Sequence, residues 1–134
     1  MTMKKKAFTL VELLVVVAII GLLATLSVLA LNNARAKARD AKRVADVRQM
    51  QTALELYFND NQAYTTVVTP GGTIASSTTV YMQIVPAPPT PPSGVAAYTY
   101  SQANTGTYNL QYLLEGPVGA ITAGLHTATP QQLY

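Results

Sequence analysis

Phe8-Thr-Leu-Val-Glu-Leu-Leu-Val-Val-Val-Ala-Ile-Ile-Gly-Leu-Leu-Ala-Thr-Leu-Ser-Val-Leu-Ala-Leu31 is the stretch that decides the fold. The nineteen residues from Leu13 to Leu31 carry no charge, close to the ~20 that cross a bilayer as a helix. At ~1.5 Å per residue they extend about 28 Å, against a hydrocarbon layer of about 30 Å. A helix apolar on every face can also be a buried core helix, but that needs more surrounding protein than 134 residues provide. A secretory signal peptide has a shorter apolar region ending at small residues, whereas this one runs on without Pro or a break. Glu12 is the sole charge between Lys6 and Arg35. A carboxylate in hydrocarbon is costly, so it should have a partner.

Outward from this stretch, Met1-Thr-Met-Lys-Lys-Lys-Ala7 is a short basic head. From Asn32 the pattern turns amphipathic without a helix stop. Ala34, Ala38, Ala41 and Ala45 recur at steps of four and three, and Val47, Met50, Leu54 and Tyr57 extend the stripe. Arg35, Arg39, Lys42, Asp46 and Gln49 fill the other side, with Lys42 and Asp46 four apart as a surface pair. Small facing residues let another backbone approach closely. The basic run from Arg35 to Arg43 reads as a solvated face; nucleic acid or anionic lipid is a possible partner that nothing else in the sequence supports. The helix is expected to end at Asn59-Asp60-Asn61, residues that favour caps and turns. One helix from Phe8 to Asp60 would reach about 80 Å at ~1.5 Å per residue, more than a monomer of this size needs for its own core.

The remainder is turn-rich. Pro70-Gly-Gly72 marks a turn and Val80-Tyr-Met-Gln-Ile-Val85 a short strand. Pro86-Ala-Pro-Pro-Thr-Pro-Pro92 lacks ladder donors and is expected as an exposed polyproline-like loop. Ala97–Ser101 and Thr107–Leu114 alternate as half-buried strands joined through Asn104-Thr-Gly106, and the tail has room for one more short strand. All eight Tyr lie at or after position 57 and are expected in the sheet and its packing on the helix. The fold class is therefore α+β: a long N-terminal helix, transmembrane then amphipathic, packed on a small antiparallel sheet. The segments are 1–7 (basic head), 8–31 (membrane-length half of the helix), 32–60 (amphipathic half of the helix) and 61–134 (small β-rich globular unit).

Composition agrees. The chain is 49% hydrophobic and 11% charged, against a usual charged fraction of about 25%, and its mean hydropathy is +0.21. With no Cys, a disulfide scaffold, a thiol nucleophile and a Cys-based zinc site are excluded. Residues 1–48 hold all nine Lys/Arg and three acids, a net +6, while residues 49–134 carry Glu55, Asp60 and Glu115 with no base, a net −3. Beyond Asn61 only Glu115 and His126 titrate below the tyrosines. General acid–base work needs positioned groups with tuned pKa values. A hydrolase triad of Glu115, His126 and one of the many hydroxyls is the weakest reading; a surface glutamate and a loop histidine are the plainer one. No enzyme, cofactor or metal is expected.

Lys-Lys-Lys-Ala-Phe8-Thr-Leu-Val-Glu12 followed by a long apolar helix resembles the leader of type IV pilins and type II secretion pseudopilins. Ala53-Leu-Glu-Leu-Tyr57-Phe-Asn-Asp60-Asn61-Gln-Ala-Tyr64 is similar to the end of the long helix in these proteins. The resemblance implies that a prepilin peptidase cuts between Ala7 and Phe8 and methylates the new Phe8 amine. It also implies that Glu12 neutralises the amine of a neighbouring subunit. Leu13, Val16, Ile20 and Leu23, with Ala34, Ala38, Ala41 and Ala45, are then the helix-packing positions of a helical homo-oligomer. A single-pass precursor in the cytoplasmic membrane, N-terminus inside, would pass into an extracellular filament, driven by an assembly ATPase and its platform. The product would be a pilus-like surface filament subunit, or alternatively a secretion or DNA-uptake pseudopilin. A non-polymerising, signal-anchored binding protein is the competing class. The sequence departs from the family pattern at Ala7 (usually Gly), at Leu29 (often Pro) and at Gln62-Ala-Tyr64-Thr65 (usually Gly-x-Tyr-Pro). It also lacks the common C-terminal disulfide and carboxylates for a head calcium site. By charge alone, Arg35 to Arg48 outnumber Lys4 to Lys6 and would place the head inside; the resemblance places it outside.

Overall fold

The α-helix α1 spans Leu10–Asn61, 52 residues without an interruption; the structure, a computed structural model, describes residues 8–90 and 98–132. Five strands follow: β1 (Ile74–Ala75), β2 (Val80–Met82), β3 (Thr99–Asn104), β4 (Thr107–Leu114) and β5 (Gly124–Ala128). The chain divides into two compact units, one ending at Arg35 and one starting at Ala36.

In the first unit, helix is the only conformation that satisfies every backbone group of so apolar a stretch from within. Its two mid-helix hydroxyls follow suit: Thr25 Oγ1 donates to the Leu22 carbonyl at 2.7 Å and Ser27 Oγ to that of Leu23 at 2.8 Å. The most apolar eighteen residues have a mean hydropathy of 2.9, and none of them is buried. By length and composition this helix can cross a membrane.

In the second unit, α1 ends as expected. Gln62 takes the left-handed conformation (φ 55°) and its amide donates to the Phe58 carbonyl at 2.7 Å. Glycine adopts this conformation without strain, so Gln62 stands where the resembled Gly-x-Tyr-Pro pattern has its glycine. The Gln62 side chain donates to the Asn59 carbonyl at 3.0 Å, which partly offsets the strain.

The expected single sheet is two. β1 and β2 form a separate antiparallel pair, and β3-β4-β5 form an antiparallel three-stranded sheet. Within it Tyr100 faces Leu110 and Tyr112 faces His126 in register. Only Val80–Met82 of the expected Val80–Val85 strand is extended in the ladder. Val85 turns inward to the core and Ile84 outward. The β3–β4 turn closes through Gly106 N donating to Asn104 Oδ1 at 2.9 Å.

The core lies between the C-terminal half of α1 and β4. Val47, Met50 and Leu54 are fully buried against Tyr108, Leu110, Tyr112 and Leu114, with Ile74 and Val85 closing the end. Alternation along β4 sets this face: Tyr108, Leu110, Tyr112 and Leu114 point in, Asn109 and Gln111 out. Tyr134 lies outside the described residues; the other seven tyrosines pack in or against this core as expected. Tyr64 stacks on Phe58 at 4.7 Å and meets Tyr108 edge-on at 4.8 Å.

One element of the helix reading is corrected. Ala34, Ala38, Ala41 and Ala45 do not continue into the Val47, Met50, Leu54 stripe. At ~100° per residue the two sets lie on opposite sides of α1: the alanines are exposed and the larger residues are buried. Volume explains the choice, since the sheet needs branched and long side chains to fill the interval to the helix. The polyproline segment is also closer in than expected. Pro86, Pro88 and Pro89 are half-buried, because the Pro89 carbonyl receives a hydrogen bond from Arg43 at 2.7 Å. Residues 91 and 92 of that loop, and Ala97 of the expected strand, lie outside the described residues.

Candidate functional site

Thr9 and Glu12 form a reciprocal cap on the first turn of α1. The Thr9 amide and hydroxyl donate to Glu12 Oε2 at 2.7 and 2.8 Å, and the Glu12 amide donates to Thr9 Oγ1 at 3.2 Å. This is a capping box, Thr-x-x-Glu before an apolar run. Its signature stands in the sequence, and the cap adds a local partner to the amine expected for Glu12. Within the described residues Glu12 Oε1 accepts nothing, so the cap leaves half of the carboxylate available. Phe8 is 90% exposed. Ala7, the other half of the expected cleavage site, lies outside the described residues. Leu13, Val16, Ile20 and Leu23 are each more than half exposed.

A second cluster fastens α1 to the head. Arg43, 3% exposed at its side chain, donates to Asp40 Oδ1 at 2.6 Å and to Glu115 Oε1 at 2.8 Å. Arg39 grips Glu115 with two parallel bonds, Nε to Oε1 at 2.8 Å and a terminal nitrogen to Oε2 at 2.6 Å. Asp40, 1% exposed, also accepts from the amides of Glu115 at 3.0 Å and Gly116 at 2.8 Å. Two cations and two carboxylates balance. Hydrogen bonds from Arg39, then from Arg43, hold the Glu115 carboxyl down at about 2, against its ordinary 4.5 and against the opposing effect of burial.

Tyrosine hydroxyls take the remaining helix acids in turn: Tyr98 donates to Asp46 at 2.9 Å, Tyr64 to Glu55 at 2.8 Å and Tyr81 to Asp60 at 2.8 Å. Burial first, and the bond to Asp46 second, push the Tyr98 hydroxyl well above its ordinary value. The expected Lys42–Asp46 surface pair is therefore not formed. Asp46 is buried at 6% exposure and turned to Tyr98, since a buried carboxylate needs a donor from within. Glu115 is likewise no plain surface residue. The charge count held the clue: the one carboxylate beyond Asn61 has no base of its own there and must find one on the helix.

Glu115 and His126 have separate partners. His126 Nε2 lies 2.8 Å from the Thr122 carbonyl and its ring lies 5.5 Å from Tyr112. Among the described residues no group of three His, Cys, Asp or Glu could hold a metal ion.

An apolar, unburied helix with one capped carboxylate at its tip, joined in sequence to a small head with its own core, defines an α+β protein of the pilin-like class. Residues 2–28 match the family described as the prokaryotic N-terminal methylation motif. The chain is 43% identical over 65 residues to the type II secretion system core protein G of Escherichia coli (strain K12), covering 48% of this chain and 45% of the relative. It is 40% identical over 63 residues to that of Aeromonas hydrophila, covering 47% and 44%. It is 41% identical over 63 residues to that of Vibrio cholerae, covering 47% and 43%. The chain is thus similar, over just under half of its length, to type II secretion core proteins G. It spans less than half the length of these relatives. No solved structure gives a match.

Proposed function

We propose that this chain is a structural subunit of a pilus-like filament, assembled through its N-terminal helix. One observation carries the reading: the unburied apolar half of α1 bears a single carboxylate, Glu12, one oxygen of which accepts no bond from the described residues. Peptidase hydrolysis of the Ala7–Phe8 bond frees the Phe8 amine, which is then methylated. The precursor sits in the cytoplasmic membrane by its apolar helix, and an assembly ATPase with its platform draws it into an extracellular fibre. There the unused side of Glu12 meets the Phe8 amine of a neighbouring copy. Leu13, Val16, Ile20 and Leu23, with Ala34, Ala38, Ala41 and Ala45, supply the packing between helices. A structural subunit has no need of catalysis. A secretion pseudopilus is favoured over a surface pilus by one finding, that the relatives above are type II secretion core proteins.

Substituting Glu12→Ala or Glu12→Val tests the reading through subunit abundance in membranes and in sheared fibres. Membrane insertion is expected to persist, because the helix becomes more apolar, while fibre incorporation is lost. Mass spectrometry of wild-type fibres should find a chain starting at methylated Phe8. Normal fibre yield from both variants would overturn the docking role of Glu12 and leave a simple membrane anchor as the better reading.

A further inference from the structure

Six cations follow the apolar run, Arg35, Lys37, Arg39, Lys42, Arg43 and Arg48, and the fold treats them unequally. Arg39 and Arg43 turn to the head, where Glu115 and Asp40 neutralise them. Arg35 is exposed, and among the described residues its guanidinium has no hydrogen-bonding or ion-pair partner. Asn32, three residues earlier and also exposed, has an equally free side-chain amide. Residues three apart on a helix are neighbours on its surface, so a planar cationic fork and an amide donor stand together without an acceptor. The next acids along the chain, Asp40 and Asp46, are buried and bonded to Arg43 and Tyr98.

The position of this pair sets what can meet it. The charge-free run from Leu13 to Leu31 matches the hydrocarbon layer of a bilayer. Asn32 is the first residue beyond that run, and Arg35 lies about 6 Å past Leu31 at ~1.5 Å per residue. The polar layer on each side of a bilayer is about 5–8 Å deep, so both donors stand at the depth of the headgroups. The acceptors at that depth are phosphate oxygens, which a guanidinium grips through two parallel bonds. A zwitterionic headgroup brings its own cation to the phosphate, whereas an anionic one leaves the charge to Arg35. We infer that Asn32 and Arg35 form a binding site for the phosphate of an anionic phospholipid. The inference rests on the membrane-bound stage of the filament reading. It adds that the precursor is held at the headgroup layer as well as in hydrocarbon, so that extraction into a fibre breaks a polar contact too.

The 134-residue chain is reconstituted in phosphatidylcholine vesicles with Lys4→Gln, Lys5→Gln and Lys6→Gln, which removes the cations before the span. Spin-labelled phosphatidylglycerol and spin-labelled phosphatidylcholine are the probes, and electron spin resonance reads the fraction of each that the protein immobilises. One cation at an anionic surface is worth a preference of about fivefold, and that preference for phosphatidylglycerol is expected. Arg35→Gln is expected to lose most of it, Arg35→Lys to retain it and Asn32→Ala to lower it. Lys42→Gln removes the same charge seven residues further along α1 and is expected to leave the preference unchanged. Parity of the two probes in the parent chain, an undiminished preference in Arg35→Gln, or an equal loss in Lys42→Gln would each overturn the site while leaving the filament reading intact. An unchanged preference in Asn32→Ala would remove Asn32 from the site. A chain that does not float with the vesicles would overturn the membrane-bound stage, and the site with it.

Discussion

Between Leu10 and Leu31 every large apolar side chain is at least 47% exposed, whereas Val47, Met50, Leu54, Tyr108 and Leu110 are fully buried. The same helix thus runs through two regimes. In the first, local bonds alone hold the structure: the Thr9–Glu12 cap, the backbone ladder, and two hydroxyls bonded back to the preceding turn. In the second, a core and a balanced charge cluster hold it, and the helix acids are taken by tyrosines and by Arg43. The contrast separates what each region is for. A region whose side chains find no partner in its own chain has to find one in lipid or in another molecule. A region that satisfies itself can be carried unchanged from one setting to the other.

That contrast breaks if damage in the head spreads to the apolar helix. The largest intramolecular effect is expected from Asp40→Ala, which takes one carboxylate from the buried Arg43, leaving it Glu115 and the Pro89 carbonyl, and strips the Glu115 and Gly116 amides of their acceptor. Removing one partner of a buried pair costs about 3–5 kcal/mol. Chemical unfolding of the full chain in detergent, followed through its tyrosines, should lose that much, while hydrogen-exchange protection from Leu10 to Leu31 stays level. A matching fall in that protection would mean that the two regions are not independent.

Acid sharpens the comparison at intermediate size. The Glu115 carboxyl is held at about 2 in the folded chain against an ordinary 4.5. A depressed folded value stabilises above the unfolded one, so its contribution is present above pH 4.5 and is lost as pH falls from 4.5 towards 2. Head stability in wild type should therefore fall more steeply over that window than in Glu115→Gln. Parallel acid profiles would remove Glu115 from the clamp.

The smallest effect belongs to the other region. A Cβ at Gly21 would meet nothing within 4 Å, so Gly21→Ala should add about 1 kcal/mol of local helix stability and nothing else. Slower amide exchange around position 21, with unchanged head unfolding, is the expected reading. A change in head unfolding would show coupling that the contacts do not supply.

Local rules made the first region legible in the sequence. Charge-free length, an absent breaker and the basic stub specify a membrane-length helix with no reference to distant residues, and Asn59-Asp60-Asn61 specify its end. The capping box was legible on the same terms, since Thr9 and Glu12 are three residues apart. Alternation likewise marked Thr107–Leu114 as a half-buried strand. Periodicity could not decide which of two helix faces meets the sheet, because the alanine line and the Val47, Met50, Leu54 line are both regular; packing volume chose the second. It could not decide that Asp40, Asp46 and Arg43 are buried, because a charge enters a core only where partners from remote segments, Glu115, Tyr98 and Pro89, converge on it. Nor could it part β1–β2 from the main sheet, since pairing between strands is long-range. The sequence by itself determined the helix, its cap and its apolar reach, for these are sums over neighbours. Tertiary structure alone decided which charges are enclosed and which helix face stays open, because those depend on segments that meet only when the chain is folded.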